Sequence, residues 1–255
     1  MGNVLFCLDN RMGNIIGEQK KALLNLKAKA VGSESVGGKA VKKLNWSDST
    51  PLDEFDGVTC DLEGNIVGID LSGSAEVGLT YDLNDIVVIL GPHLKEIQLG
   101  NNKNVTGDLS VLSVCTSIAV VSMPFTSVTG DIEVVTHWPQ LAKLDLQDCV
   151  AITGDIIVFS DLSDLSELSL YNCAEVVGDV SAFQSAYKLS ELKLRHCNKI
   201  TGDSAAFEMD GKGTLSTLAI EDCPLITGEG AKSARWLPQY SQKANDAEGS
   251  TWDSP

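Results

Sequence analysis

Residues 141–155 read LAKLDLQDCVAITGD, and the chain repeats them as LSELSLYNCAEVVGD at 165–179 and LSELKLRHCNKITGD at 189–203. The period is 24. The frame runs forward to LSTLAIEDCPLITGE at 215–229 and back to LKEIQLGNNKNVTGD at 94–108, with a copy one residue shorter, IAVVSMPFTSVTGD, at 118–131. A degenerate copy near Ile66 to Ser72 brings the total to about seven, with starts 23 to 28 residues apart. A unit this short cannot bury an apolar face alone, so the repeats must stack and shelter one another.

Each column of the repeat has a physical reading. Leu144 and Leu146, Leu168 and Leu170, and Leu192 and Leu194 alternate with polar residues, the period-two signal of a short strand with one buried face. Stacked about 4.8 Å apart, such strands make a parallel sheet over a shared interior. Cys149, Cys173, Cys197 and Cys223 fill a column that wants a small buried side chain. Gly107, Gly130, Gly154, Gly178, Gly202 and Gly228 supply positive φ or close approach to the next coil. Phe159, Phe183 and Phe207 read as an aromatic spine on the convex side. The acidic column Asp108, Asp131, Asp155, Asp179, Asp203 and Glu229 reads as local turn capping, with cation binding as the lesser alternative.

The copies fit the leucine-rich repeat consensus LxxLxLxx(N/C)xL. The half-repeat Ile152 to Asp155 resembles the L-T-G-x-I-P signature of plant-type leucine-rich repeat proteins, without its proline. Ala22-Leu23-Leu24, Leu26-Lys27, Trp46, Gly57-Val58-Thr59-Cys60-Asp61 and Gly64 to Ser72 follow in the order of that family's capping domain and first strand, as in similar algal proteins. The resemblance implies an α/β solenoid, with a parallel sheet on its concave face and an N-terminal helical cap. The family places a second cysteine shortly before G-V-T-C; here Phe55 and acidic residues stand there, leaving Cys60 without that disulfide partner. The implied organisation is a tail at 1–17, a capping region at 18–65, the solenoid at 66–230, and a C-terminal cap with a frayed tail at 231–255. In the N-terminal cap, Ala22, Leu23, Leu26 and Ala30 fall on one helical face. At the other end, Trp236 and Leu237 are expected to cover the last repeat.

Charge and cysteine content narrow the function. The net charge is −16. Residues 1–45 carry eight Lys or Arg against three acids, so the remainder carries 11 against 32. A body this acidic disfavours nucleic acid as a partner. Apolar runs stay near the length of Ile86 to Leu90, well short of the roughly 20 residues that span a membrane. Peripheral attachment through the basic N-terminus is the weaker membrane alternative. Gly2 and Cys7 are reminiscent of dual acylation, but Phe6 stands where Ser or Thr is required. Four of the seven cysteines belong to the repeat column and no C-x-x-C occurs, so free thiols in a reducing compartment are expected. Met1 to Leu8 shows no secretory pattern. Secretion remains the alternative, and under it the sequons at Asn45 and Asn104 matter.

No chemistry-bearing constellation stands out. His93, His137 and His196 share no motif with an acid or a serine elbow, and Gly32 to Ala40 lacks the Lys-Ser/Thr pair of a phosphate loop. No catalytic, cofactor or metal site is expected. Function then falls to the outward residues of the concave strands: Lys143, Asp145 and Gln147; Glu167, Ser169 and Tyr171; Glu191, Lys193 and Arg195; and Glu221. Tyr171 beside Arg195 and Lys193 is the best anchor, because buried aromatic and arginine side chains dominate interface energies. These residues predict a non-catalytic protein-interaction or scaffold module, one subunit of a larger assembly. The alternative is an extracellular recognition ectodomain or an inhibitor of secreted enzymes.

Overall fold

The computed structural model describes residues 17–25, 27, 45–73, 81–207 and 215–228. Helix α1 spans 17–25. Strands β1 (Val58–Cys60) and β2 (Ile66–Asp70) follow, then β3 (Tyr81–Asp82) and helix α2 (Leu83–Leu90). Thereafter each coil contributes two strands in turn: β4 (Glu96–Gln98) and β5 (Val105–Thr106), β6 (Val120–Ser122) and β7 (Thr129–Asp131), β8 (Lys143–Asp145) and β9 (Ala151–Asp155). The series ends with β10 (Glu167–Ser169) and β11 (Glu175–Asp179), β12 (Glu191–Lys193) and β13 (Lys199–Asp203), β14 (Thr217–Ala219) and β15 (Ile226–Thr227).

Eight strands form one sheet in the order β1-β2-β4-β6-β8-β10-β12-β14, parallel throughout except for the antiparallel β1–β2 pair at its N-terminal edge. Its register aligns Ile69, Ile97, Val121, Leu144, Leu168, Leu192 and Leu218 rung above rung. The first six are buried and Leu218, at the end, is half-buried. Burying each such side chain is worth about 1.5–3 kcal/mol. This ladder is therefore a source of cohesion for coils too small to fold singly.

A second sheet, β15-β13-β11-β9-β7, runs down the flank, where the sequence alone assigned no strand. Strands β7, β9 and β13 carry Thr-Gly-Asp and β11 carries Val-Gly-Asp, whose glycine and aspartate resemble turn chemistry. They extend only because each pairs with the coil below. In this sheet Gly154 has φ +115°, and a Cβ there would collide with Asp131 Oδ1 of the preceding coil. Both conformation and space demand glycine.

The convex side is built from short 3-10 helices, each started by an aspartate. Asp108, Asp131, Asp155 and Asp179 accept from the backbone N–H of Ser110, Glu133, Ile157 and Ser181 at 2.8–2.9 Å, and Asp203 does the same for Ala205. These five aspartates of the column thus cap their turns locally, as read from the sequence, while Glu229 lies outside the described residues. Phe159 and Phe183 stack with centroids 6.2 Å apart, while Phe207 is half-buried. Trp138 is buried in the same layer and donates to Leu112 O.

At the N-terminal end, Leu23 of α1 is fully buried. Lys20 Nζ donates to Asp48 O and Lys27 Nζ to Trp46 O. Trp46 stacks on Phe55 at 5.5 Å, and both rings are buried. The readings for Gly2, Cys7, Gly32 to Ala40, Trp236 and Leu237 lie outside the described residues.

Candidate binding surface

Where each concave strand from β4 onward leaves the sheet, one residue takes a left-handed conformation. Asn101, Phe125, Asp148, Asn172, His196 and Asp222 all have φ near +60°. Asn, Asp and His tolerate this region; Phe125 does not without strain. The next residue turns inward. Asn102 donates to Leu71 O and Leu99 O at 2.8 Å, and Thr126 donates to Met123 O at 2.8 Å. Cys149, Cys173, Cys197 and Cys223 donate Sγ–H to Met123, Leu146, Leu170 and Leu194 O at 2.9–3.2 Å. These side chains satisfy carbonyls that the turn leaves buried. The cysteine column is therefore continued by Asn102 and Thr126, which the sequence reading left out. Burial pushes the thiols up, Cys115 to about 11 and Cys197 to about 12. Such thiols are poor nucleophiles. All six described cysteines are free.

The turn fixes the rim of the concave face. Tyr171 and His196 meet edge to face at 5.4 Å. Arg195 Nε lies 3.3 Å and His196 Nδ1 3.6 Å from Asp222 Oδ2. Asn172 donates to Asp148 at 2.8 Å. Tyr171 and Arg195 are brought to adjacent rungs, with Asn172 N bonded to Arg195 O. His196, Asp222 and Phe125 were absent from the sequence-derived site; for His196 and Asp222 the signal was a column of left-handed-tolerant residue types one place beyond the anchors, whereas Phe125 breaks that pattern and left none.

Across the face itself, Lys143 pairs with Glu167 at 2.6 Å and Lys193 with Glu191 at 2.7 Å. The Lys143 ammonium is held above its usual range chiefly by its bond to Glu167. Asp145 lies between these pairs and accepts from Gln147 N at 3.1 Å. Burial pushes its carboxyl above the usual range, against the pull of that N–H, Lys193 and Lys143. Ser169 departs from its expected place as an exposed contact: it is 6% exposed, packed between the side chains of neighbouring rungs. Its Oγ lies toward Asp145 but makes no hydrogen bond of normal geometry. Gln147, Glu167, Glu191 and Glu221 are half-buried and Arg195 is exposed.

The face and its rim carry Asp70, Glu96, Asp145, Asp148, Glu167, Glu191, Glu221 and Asp222 against only Lys143, Lys193 and Arg195. It is net acidic. Among the described residues no three His, Cys, Asp or Glu side chains converge as metal ligands. None of the described helices is long and apolar enough to cross a membrane.

No protein-family model matches the chain, and no curated protein matches it. Solved structures do. The leucine-rich repeat ectodomain of the Arabidopsis receptor kinase HAESA, in complex with an extended IDA peptide hormone, superposes with TM-score 0.58 at 19% identity, covering 82% of this chain and 34% of that one. A plant ice-binding protein gives TM-score 0.60 at 18% identity, covering 82% of this chain and 71% of that one. The ectodomain of the Arabidopsis receptor kinase SOBIR1 gives 0.50 at 19% identity, covering 71% and 94%. The chain spans about a third of the length of the HAESA ectodomain. The likeness is one of architecture, and it gives this chain the fold of a plant-type leucine-rich repeat solenoid.

Proposed function

We propose that this protein is a non-catalytic protein-interaction module, a subunit of a larger assembly, that holds its partner on the concave face and rim around Tyr171, Arg195 and His196. One observation carries the reading: an aromatic ring, a guanidinium and an imidazole are clustered by consecutive rungs on a rigid sheet. Anchors of this kind give the largest losses on truncation, about 2 kcal/mol or more each. The HAESA ectodomain, similar in fold, is seen with a peptide bound. Pull-down from the native source with wild-type protein, and with Tyr171→Ala/Arg195→Ala, tests it. The variant is expected to lose the partner; full retention of every partner would overturn this site.

Six free thiols, and Phe55 in the place of a cap cysteine, support a reducing compartment. The second reading, an extracellular recognition module or inhibitor of secreted enzymes, is favoured by likeness to receptor ectodomains. Asn45 is tied by side-chain bonds to Glu54 O and Asp56 N, whereas Asn104 is exposed. A glycan on Asn104 of the native protein, read by mass spectrometry, would decide for the second.

A further inference from the structure

All three cations of the concave face and rim are spent on their own neighbours: Lys143 on Glu167, Lys193 on Glu191, Arg195 on Asp222. Five carboxylates, of Asp70, Glu96, Asp145, Asp148 and Glu221, have no cation within ion-pair distance among the described residues. They are strung along the solenoid rather than gathered. From the rung of Asp70 to that of Glu221 is six steps of about 4.8 Å, or about 29 Å, which an extended chain of about nine residues spans.

Two orphaned polar atoms lie on the same face. Ser169 is nine-tenths buried with no partner of normal geometry for its Oγ, and Glu221 Oε2 is buried with none. Glu221 Oε2 is desolvated with no counter-charge within ion-pair distance among the described residues, a cost recovered only when a donor of opposite sign arrives. The half-exposed Tyr171 ring, set edge to face with His196, adds aromatic contact area on the same row. Phe125, exposed at φ +57°, supplies an apolar contact two coils away.

Resting on the interaction-module reading, we infer that the concave face receives an extended segment of a partner protein bearing lysine or arginine at alternate positions. Alternation matters because an extended chain turns every second side chain to the same face. The carboxylates are spread along the groove, so they suit a row of point cations rather than one metal ion. An acidic or nucleic-acid partner would meet repulsion across the whole face.

The full chain is titrated with a fluorescein-labelled peptide of about twelve residues alternating lysine and alanine, alongside its glutamate-alanine counterpart. The lysine peptide is expected to bind by fluorescence anisotropy and to be released as salt rises from about 0.02 M to about 0.5 M. Asp145→Asn/Glu221→Gln is expected to weaken it about tenfold. Glu133→Gln/Asp53→Asn, which removes equal charge away from the face, should leave it unchanged. Equal weakening by both pairs would reduce the effect to net charge and overturn the inference. Preference for the glutamate peptide, abolished by Tyr171→Ala/Arg195→Ala, would overturn the cationic partner while leaving the interaction surface standing. Binding that emerges only after Lys39→Gln/Lys42→Gln/Lys43→Gln would make the occupant this chain's own basic segment, not a partner. A thermal midpoint at or above that of the wild-type protein for each carboxylate pair excludes misfolding as the cause.

Discussion

At the scale of single residues, the requirements are steric and electrostatic, and they differ sharply between columns. Gly154 is fixed twice, by its positive φ and by Asp131, whose Oδ1 stands where a Cβ would lie. Gly154→Ala is expected to cost about 1–3 kcal/mol in urea unfolding, with the larger share arising from displacement of the Asp131 cap. Asp145 is the opposite case, a residue that weakens the fold. Its folded-state carboxyl is raised by burial, so the folded form holds its proton more tightly than the unfolded chain does. The group therefore favours folding at pH below the ordinary carboxylate value near 4 and opposes it as pH rises through the raised value. Asp145→Asn should raise the melting temperature at pH 7, and the gain should vanish on acidification below about 4. A midpoint shift independent of pH would show that burial of the charge is not the cause. A residue kept at a cost to stability in the middle of an exposed face is what a recognition surface requires.

At the scale of elements, legibility followed periodicity. The concave strands were readable because Leu144, Leu168 and Leu192 alternate with polar neighbours, and the sheet places them in register. Strands β9, β11 and β13 were not readable. Glycine and aspartate are poor strand formers, and nothing local says that a neighbouring coil will satisfy their backbone. The capping aspartates were recognised from their column, and the structure supplies the geometry. Asp179 is held below the usual carboxylate range chiefly by the Ser181 N–H, so it helps folding at neutral pH and loses that effect as pH falls through its lowered value. Asp179→Ala is expected to cost about 1 kcal/mol by denaturant titration at pH 7, and less below pH of about 3. The binding surface was half legible. Tyr171 and Arg195 follow from strand alternation, but His196 and Asp222 reach the rim only because the turn is left-handed, a conformation no strand pattern encodes.

At the scale of the whole molecule, the concave strands from β2 onward pair in chain order, coil upon coil, and the antiparallel β1 closes the sheet at one edge. Lys143 faces Glu167, and Glu191 occupies the same position one rung further on. Excising residues 165–188 would therefore set Leu192 against Leu144, Cys197 above Cys149, and Glu191 opposite Lys143, with every column unbroken. That shortened chain should keep a single cooperative melt by circular dichroism while lacking Tyr171 entirely, so scaffold and reading head can be separated with one cut. The molecule is punctuated like a ruled page: whole lines can be struck out and the margins still align, but deleting half a line would throw every word below out of its column.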